Sequence, residues 1–415
     1  MSWFFTKSVD FYRQNRPDHL LTQYGSPLYA YNEQVLRERC RDMKNLVDSP
    51  LFGVNYSTKA NSNLTLLNII REEGLDADAM SPGEIHVLLQ AGFKPEQIFY
   101  ICNNVSVEEM AYAVERDICV SVDSLSQLEL FGRAFAGRRV AVRINTGHGA
   151  GHNEKVVTAG KKTKFGVNDD QITDIKALVK RYSLRLCGLN QHVGSLFMEG
   201  SAYLAGARLL MELALEFDDL EFIDLGGGFG ISYYKQAGEG PMDLAPLSRE
   251  LTELIQNFQH RCGRPVHCKI EPGRYITAEC GVLLGNVLAR KVNSGVTYVG
   301  TDLGFNVLQR PIMYDAHHEA EIYRDGVCLE GDHETVTVVG NICESGDKLL
   351  KARSLPRMQL GDVIAVMDAG AYGYSMASNY NNRLRPAEVL IGLDGQPRLI
   401  RRRDTLEDLM RGFAL

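Results

Sequence analysis

A (β/α)8 TIM barrel joined to an all-β domain is the fold the sequence predicts, and three observations predict it. Between residues 52 and 272, short β-branched or apolar runs alternate with amphipathic stretches whose apolar positions recur three and four apart. After Arg274 that helical period stops, while apolar runs punctuated by glycine and proline continue. Polar residues also gather at the ends of successive predicted strands, where barrels assemble their sites.

The predicted barrel strands are 52–58, 76–80, 97–101, 119–123, 139–145, 184–193, 222–226 and 267–272. Helices fall between them at Asn63–Glu73, Pro82–Gln90, Val107–Arg116, Leu125–Phe135, Asp170–Arg181, Tyr203–Glu216 and Pro246–Arg261. Alternation that stops after one full circuit fits a closed barrel better than an open sheet. Ser81-Pro82 supplies an N-cap followed by proline at the first helical position. One long glycine-rich loop, Gly147–Gly160, interrupts the period, and a loop of that length over barrel strand ends is more often functional than filler. Its His148 and His152 read as solvated residues, because no third metal ligand is spaced nearby. Beyond the barrel, strands are predicted at Val282–Val292, Val296–Thr301, Ala320–Tyr323, Thr335–Val339, Asp362–Met367 and Glu388–Ile391. The segment ending at Tyr29 precedes the first barrel strand and is expected to pair with this second domain. The barrel would then span 31–276, and a discontinuous β domain would comprise 1–30 and 277–415.

The 415 residues, 45% hydrophobic and 23% charged, suffice for more than one core and exclude a disordered chain. A formal charge of −7 and a pI of about 5.9 argue against nucleic acid as a partner, and Arg401-Arg402-Arg403 reads as a solvated strand edge. Nine scattered cysteines without a C-x-x-C pair point to a reducing compartment rather than a disulfide framework or a zinc site. The first ten residues carry charge too early for a signal sequence, and no apolar run approaches the ~20 residues of a membrane span. A cytoplasmic, non-membrane protein is expected.

Lys59 is delivered by the apolar run 52–58 to the end of the first barrel strand, a partly desolvated place that suits a Schiff-base lysine. A lone lysine there is ordinarily solvated or capping, so its meaning depends on what the other strand ends carry. Strand six ends in Gln-His-Val-Gly-Ser with His192 at the rim, strand seven in the Asp-Leu-Gly-Gly-Gly-Phe-Gly of 224–230, and strand eight in Glu271-Pro-Gly-Arg274. The glycine run, with Gly227 and Gly228 at its centre, would let backbone N–H groups approach a phosphate at the usual barrel position after strand seven. A dinucleotide fingerprint is a weaker reading, since Ile231 stands where G-x-G-x-x-G requires glycine. Taken singly, His192 is a core histidine, Glu271 a capped carboxylate and Arg274 an ion-pair partner. Together, a phosphate nest, a Schiff-base lysine and a buried carboxylate are the parts that pyridoxal 5'-phosphate requires, the carboxylate keeping the ring nitrogen protonated so that the ring accepts electrons.

These residues resemble the fold-type III pyridoxal-phosphate decarboxylases, and among them the members that act on diaminopimelate. The resemblance covers nearly the whole chain: Ser26-Pro-Leu-Tyr-Ala-Tyr31, Tyr56-Ser-Thr-Lys-Ala-Asn61, Lys164-Phe-Gly166, His192-Val-Gly-Ser195, Gly226-Gly-Gly228 and Glu271-Pro-Gly-Arg274 in the barrel. In the β domain it continues through Arg310-Pro-Ile-Met-Tyr314, Cys343-Glu-Ser-Gly-Asp347, Asp368-Ala-Gly-Ala-Tyr372 and Tyr380-Asn-Asn-Arg-Leu-Arg-Pro386. The resemblance implies a second domain like the C-terminal β-barrel of alanine racemases. It implies Lys59 as the lysine that binds the cofactor, His192 against its ring, and Ser195, Gly227, Gly228 and Arg274 near its phosphate. Glu271 is implied at the pyridine nitrogen and Tyr372 at cofactor and substrate. Cys343 and Glu344 are implied to reach the site from a partner subunit, which makes the protein a head-to-tail homodimer with shared active sites. Cys343 is then the acid that quenches the carbanion left by decarboxylation; on composition alone it would be a buried, inert thiol.

Diaminopimelate carries a distal carboxylate and a distal ammonium, so a selective pocket needs a fixed cation and a fixed anion. Arg310 with Tyr314 suits the carboxylate, with Arg274 assisting by resemblance, and Glu344 suits the ammonium; the related ornithine decarboxylases carry aspartate after the cysteine. Conversion of meso-diaminopimelate to L-lysine and carbon dioxide is therefore expected. The stretch Arg143-Ile-Asn-Thr-Gly-His-Gly-Ala-Gly-His-Asn-Glu departs from the family in lacking its common Asn-Pro start and in carrying two histidines. An ornithine-like, carrier-linked or siderophore-precursor amino acid is accordingly the alternative substrate. An alanine-racemase-like isomerase would protonate with lysine and tyrosine, and nothing resembling that arrangement replaces Cys343. A cofactor-binding regulator would need neither Lys59 nor the Cys343-Glu344 pair, and carbon dioxide release separates it from an enzyme.

Overall fold

The structure, a computed structural model, describes residues 4–147, 150–151 and 163–414. Contacts divide the chain into two compact units, one of Arg39–Ile231 and Met242–Ile276, the other of Met1–Glu38, Ser232–Pro241 and Thr277–Leu415. The first unit contains a closed barrel of eight parallel strands. In chain order they are Phe52–Ser57, Asp76–Ala79, Ile98–Ile101, Cys119–Val122, Arg139–Asn145, Arg185–Asn190, Phe222–Asp224 and His267–Ile270. Pairing of Cys268 with Phe52 closes the circle. Most of these strand residues are buried, as parallel strands wrapped by helices must be.

Side chains that accept the first free N–H groups start most of the intervening helices. Asn63 caps Leu64–Glu72, Ser81 caps Pro82–Gln90, Ser106 caps Val107–Val114, Ser124 caps Leu125–Ala134 and Asp243 caps Leu244–Cys262. Predicted strands six and seven run past the observed ones, because the chain leaves the ladder at its polar rim and turns through Gly226 at φ +79°. The eighth helix shrinks to Arg274–Thr277. His148 and His152, with most of the Gly147–Gly160 loop, lie outside the described residues.

In the second unit, the strand Leu28–Asn32 pairs antiparallel with Gly281–Asn293 and parallel with Ala387–Ile391. Val363–Val366 and Val296–Thr301 flank Gly281–Asn293 on further edges. Lys348–Pro356 is a strand that the sequence pattern did not reveal. Its partner His333–Val339 shifts register between Val336 and Val338, and Ala352 takes φ +47°, so the apolar alternation is broken. The strand Pro397–Arg401 was hidden because it is short and mostly solvated. As the sequence suggested, the arginine run lies on and beyond an edge strand with Arg402 exposed, but its guanidinium groups are paired as well as solvated. Arg401 pairs with the fully buried Glu388, Arg402 with Asp408, and Arg403 donates to the Pro27 carbonyl. Among the described residues no helix is long and apolar enough to cross a membrane.

Within the barrel, Phe222 packs with Phe99, Ile101, Ala141 and Cys187. Its ring fills the space beside Gly188 so fully that a Cβ there would meet it at 2.4 Å. Gly188→Ala should therefore destabilise the protein by about 1–3 kcal/mol, the usual effect of overpacking a core. Urea unfolding measures this, and an unchanged midpoint would mean that Phe222 has room to step aside.

Candidate active site

Lys59 lies in the turn Thr58–Ala60, directly after the strand Phe52–Ser57, and is half-buried. The turn is fastened from the neighbouring strand by Asp78, which is 0% exposed. Ser57 donates its hydroxyl to Asp78 Oδ2 at 2.8 Å, and the Thr58 N–H donates to Oδ1 at 3.2 Å. Below them Asn55 donates to Asp224 Oδ2 at 2.9 Å. Burial raises the carboxyl of Asp78, against the pull of Lys59, Ser57 and Thr58, and pushes that of Asp224 up to about 6. Asp78 and Asp224 were not among the predicted site residues. Asp224 left a signal, an acid ending the short and otherwise apolar strand Phe222–Asp224, where a buried charge needs a partner.

Glu271 and His192 face the charge of Lys59. Burial raises the carboxyl of Glu271 well above its ordinary range, the negative charges of Asp224 and Asp78 add to that, and Lys59 and Arg143 oppose it. Its Oε1 is buried and has no hydrogen-bond partner among the described residues. His192 Nδ1 accepts the Gly227 N–H at 3.2 Å and stands 3.7 Å from Glu271 Oε2. Burial, with Lys59 and Arg143 next, holds this imidazole well below its ordinary value, so it is neutral. Arg143, also missed in the sequence, is 9% exposed, lies over the Phe165 ring at 4.6 Å, and brings a second cation to the rim.

The glycine run is explained first by close packing. A Cβ on Gly227 would come within 1.9 Å of the Glu271 carbonyl oxygen, and one on Gly226 within 2.3 Å of the Gln191 carbonyl oxygen. The Gly226 N–H goes to Asp224 Oδ1 at 2.9 Å, as the Gly227 N–H goes to His192. Gly228, at φ +109°, adopts a backbone reserved for glycine. Nearby, Arg274 Nη2 donates to Ser195 Oγ at 2.9 Å. Lys59, His192, Ser195, Gly227, Gly228, Glu271 and Arg274 are thus all residues of the barrel unit.

The remaining predicted residues belong to the other unit. Arg310 opens the helix Arg310–Tyr314 and is 1% exposed. Cys343 and Glu344 sit on an exposed loop whose base is pinned by Asp347, which accepts from the N–H groups of Phe305 at 2.7 Å and Ile342 at 2.8 Å. Asn381, at φ +56°, turns its side-chain oxygen to the Cys343 N–H at 3.2 Å and to its Sγ at 3.4 Å. Tyr380 donates to Glu344 Oε1 at 2.6 Å. Tyr372 is half-buried at φ +56°, a strained conformation that commonly marks functional loops.

The family model for the pyridoxal-binding domain of pyridoxal-dependent decarboxylases matches residues 33–278. The diaminopimelate decarboxylase of Methanothermobacter thermautotrophicus is 38% identical over 95% of this chain and 92% of its own, and that of Escherichia coli K12 is 34% identical over 94% of each. A crystal structure of diaminopimelate decarboxylase superposes with a TM-score of 0.89 at 32% identity, covering 96% of this chain and 97% of the other. The Helicobacter pylori enzyme complexed with L-lysine gives 0.86 at 30% identity, over 95% and 98%. The chain belongs to the diaminopimelate decarboxylase family. It is accordingly a pyridoxal-phosphate-dependent carboxy-lyase. The barrel mouth fits that cofactor: the buried Glu271 Oε1 lacks a protein donor among the described residues, as an oxygen meant for a pyridinium N–H should, and Arg274 with Ser195 offers donors to a phosphate.

The neutral state of His192 has a consequence for stability. Below about pH 6.5 the unfolded chain takes up a proton that folded His192 refuses. Its share of stability is therefore full above that pH and is lost as pH falls. Replacing it, His192→Phe, should reduce the acid-side slope of unfolding free energy by up to about 1.4 kcal/mol per pH unit. Denaturant unfolding between pH 5 and 8 measures this, and identical slopes would show that His192 titrates normally.

Proposed function

We propose that this protein decarboxylates meso-diaminopimelate to L-lysine and carbon dioxide in the cytoplasm, as a homodimer with shared active sites. The observation that carries the reading is the buried Glu271 beside Lys59 and a neutral His192, in a chain similar over its whole length to diaminopimelate decarboxylases. When bound, pyridoxal phosphate supplies the electron sink for the pair released as the carboxylate leaves.

Lys59 would hold the cofactor covalently, its amine suited to a carbonyl partner. Glu271 would hold a proton at the pyridine nitrogen, since burial first and the charges of Asp224 and Asp78 next make it a strong acceptor. His192 would lie against the ring; being neutral, it would add no charge to compete with the pyridinium. Ser195, Gly228 and Arg274 bind the phosphate, while Gly227 orients His192 through its N–H. Tyr372 contributes to both cofactor and substrate. Arg310 and Tyr314, with Arg274, take the distal carboxylate, and Glu344 takes the distal ammonium.

Cys343 delivers a proton from Sγ to the carbon that has lost its carboxylate, with Asn381 fixing the loop that carries it. Exposure of Cys343 and Glu344, together with the apolar surfaces of Ile312 and Met313 at 40% and 43% exposure, supports their burial against a second subunit. Scattered free cysteines support a reducing compartment.

Carbon dioxide release should be far faster from meso-diaminopimelate than from lysine or ornithine, which offer no distal carboxylate when their α-carbon reacts. Replacing Arg310→Met should remove about 2–5 kcal/mol of transition-state stabilisation for diaminopimelate selectively, as loss of a buried charge partner does. Faster ornithine turnover, or activity confined to a conjugated amino acid, would overturn the substrate while leaving the reaction. Shared sites predict that mixing inactive Lys59→Ala and Cys343→Ala proteins restores part of the activity. Persistent inactivity after proven subunit exchange would place each site within one chain.

A further inference from the structure

Two side chains within its own unit, one of them anchored by a third residue, hold the buried Arg310. Its guanidinium carbon lies 4.6 Å from the centre of the Tyr233 ring. Its Nη1 is 2.7 Å from His318 Nε2, and His318 Nδ1 is 2.7 Å from the carbonyl oxygen of Met367. A guanidinium has only donors and a carbonyl only acceptors. These contacts therefore admit one form of His318: neutral, with the proton on Nδ1 and the Nε2 lone pair turned to Arg310. The ring is 0% exposed and meets Tyr233 edge-on at 5.3 Å. Its anchor is rigid, since Met367 directly follows the strand Val363–Val366 and its own N–H donates to the Glu319 carbonyl at 2.9 Å.

We propose that His318 is a positioning residue for specificity, holding Arg310 through a neutral acceptor in the orientation that receives the distal carboxylate of the substrate. The inference rests on the assignment of Arg310 to that carboxylate. A carboxylate in the place of His318 would hold the arginine as firmly but would neutralise it. A neutral imidazole accepts one N–H without cancelling the guanidinium charge that attracts the incoming anion. Tyr233 does the same for the flat face, fixing the plane of the guanidinium without accepting its proton.

The test uses the holoenzyme and two ligands that differ by one group: L-lysine, which retains the distal carboxylate as product, and 1,5-diaminopentane, which lacks it. The ratio of their dissociation constants, read from the visible absorption of the bound cofactor, reports the Arg310 contact. His318→Leu should cut the preference for lysine at least tenfold and raise KM for diaminopimelate more than it lowers kcat. His318→Gln, which restores an acceptor oxygen, should recover most of both. If Arg310→Met leaves the preference intact, the assignment of Arg310 itself is wrong. If Arg310→Met abolishes it while His318→Leu preserves it, or if His318→Gln is as impaired as His318→Leu, the positioning role is overturned. Should His318→Leu fail to fold, the ring nitrogens of the wild-type protein decide by nitrogen-15 NMR: Nδ1 protonated, Nε2 bare and shifting with lysine but not with diaminopentane. A protonated Nε2 would overturn the inference.

Discussion

Asp78, Asp224 and Glu271 stand at or near the ends of three barrel strands, all of them 3% exposed or less, with Lys59 facing Asp78 and Glu271, Arg143 facing Glu271, and Lys269 facing Asp224. Burying that many carboxylates is tolerable only where hydrogen bonds, nearby cations or protonation relieve them. Asp78 is relieved by Ser57, Thr58 and Lys59, and in accepting those contacts it fixes the turn that carries Lys59. Asp224 is relieved by Asn55 and the Gly226 N–H, and in doing so it sets the first glycine of the rim. Glu271 retains an oxygen that protein donors do not satisfy among the described residues. The two satisfied acids thus serve the architecture of the rim.

The second unit meets a different demand, which is to fix long polar side chains without a rigid strand beneath each. Cys343 and Glu344 lie on a loop held at its base by the buried Asp347 and at its tip by Asn381 and Tyr380. Asn381 and Asn382, in the segment that contacts this loop, both take positive φ, as do Asp368 and Tyr372 elsewhere in the unit. Such conformations persist where the surrounding contacts over-determine them, and they are common at sites that must aim a side chain.

Barrel strands and helices were legible because each is a short periodic run bounded by a cap or a glycine, and their positions agree within a few residues. Lys59, His192, Glu271 and Arg274 were legible for the same reason: a polar residue at the end of an apolar run marks a barrel rim. Asp78 was hidden by the neighbouring Asp76, which is half-exposed and pairs with Lys269 at 3.5 Å, so the pair reads as ordinary strand polarity. Arg143 carries no local pattern, and its meaning lies in acids distant in sequence, Glu271 and Asp123. His318 and Asn381 act through other side chains, a property of three-dimensional packing that no spacing encodes. Lys348–Pro356 escaped because a bulge destroys the alternation on which strand recognition depends.

The account turns on Lys59 as the point of covalent attachment, held among buried acids at the barrel mouth. The most direct measurement is borohydride reduction of the purified protein followed by peptide mapping. The account predicts a yellow protein whose visible band disappears on reduction, with the pyridoxyl label on Lys59. A colourless protein that does not take up pyridoxal phosphate, or a label on any other lysine, would contradict it.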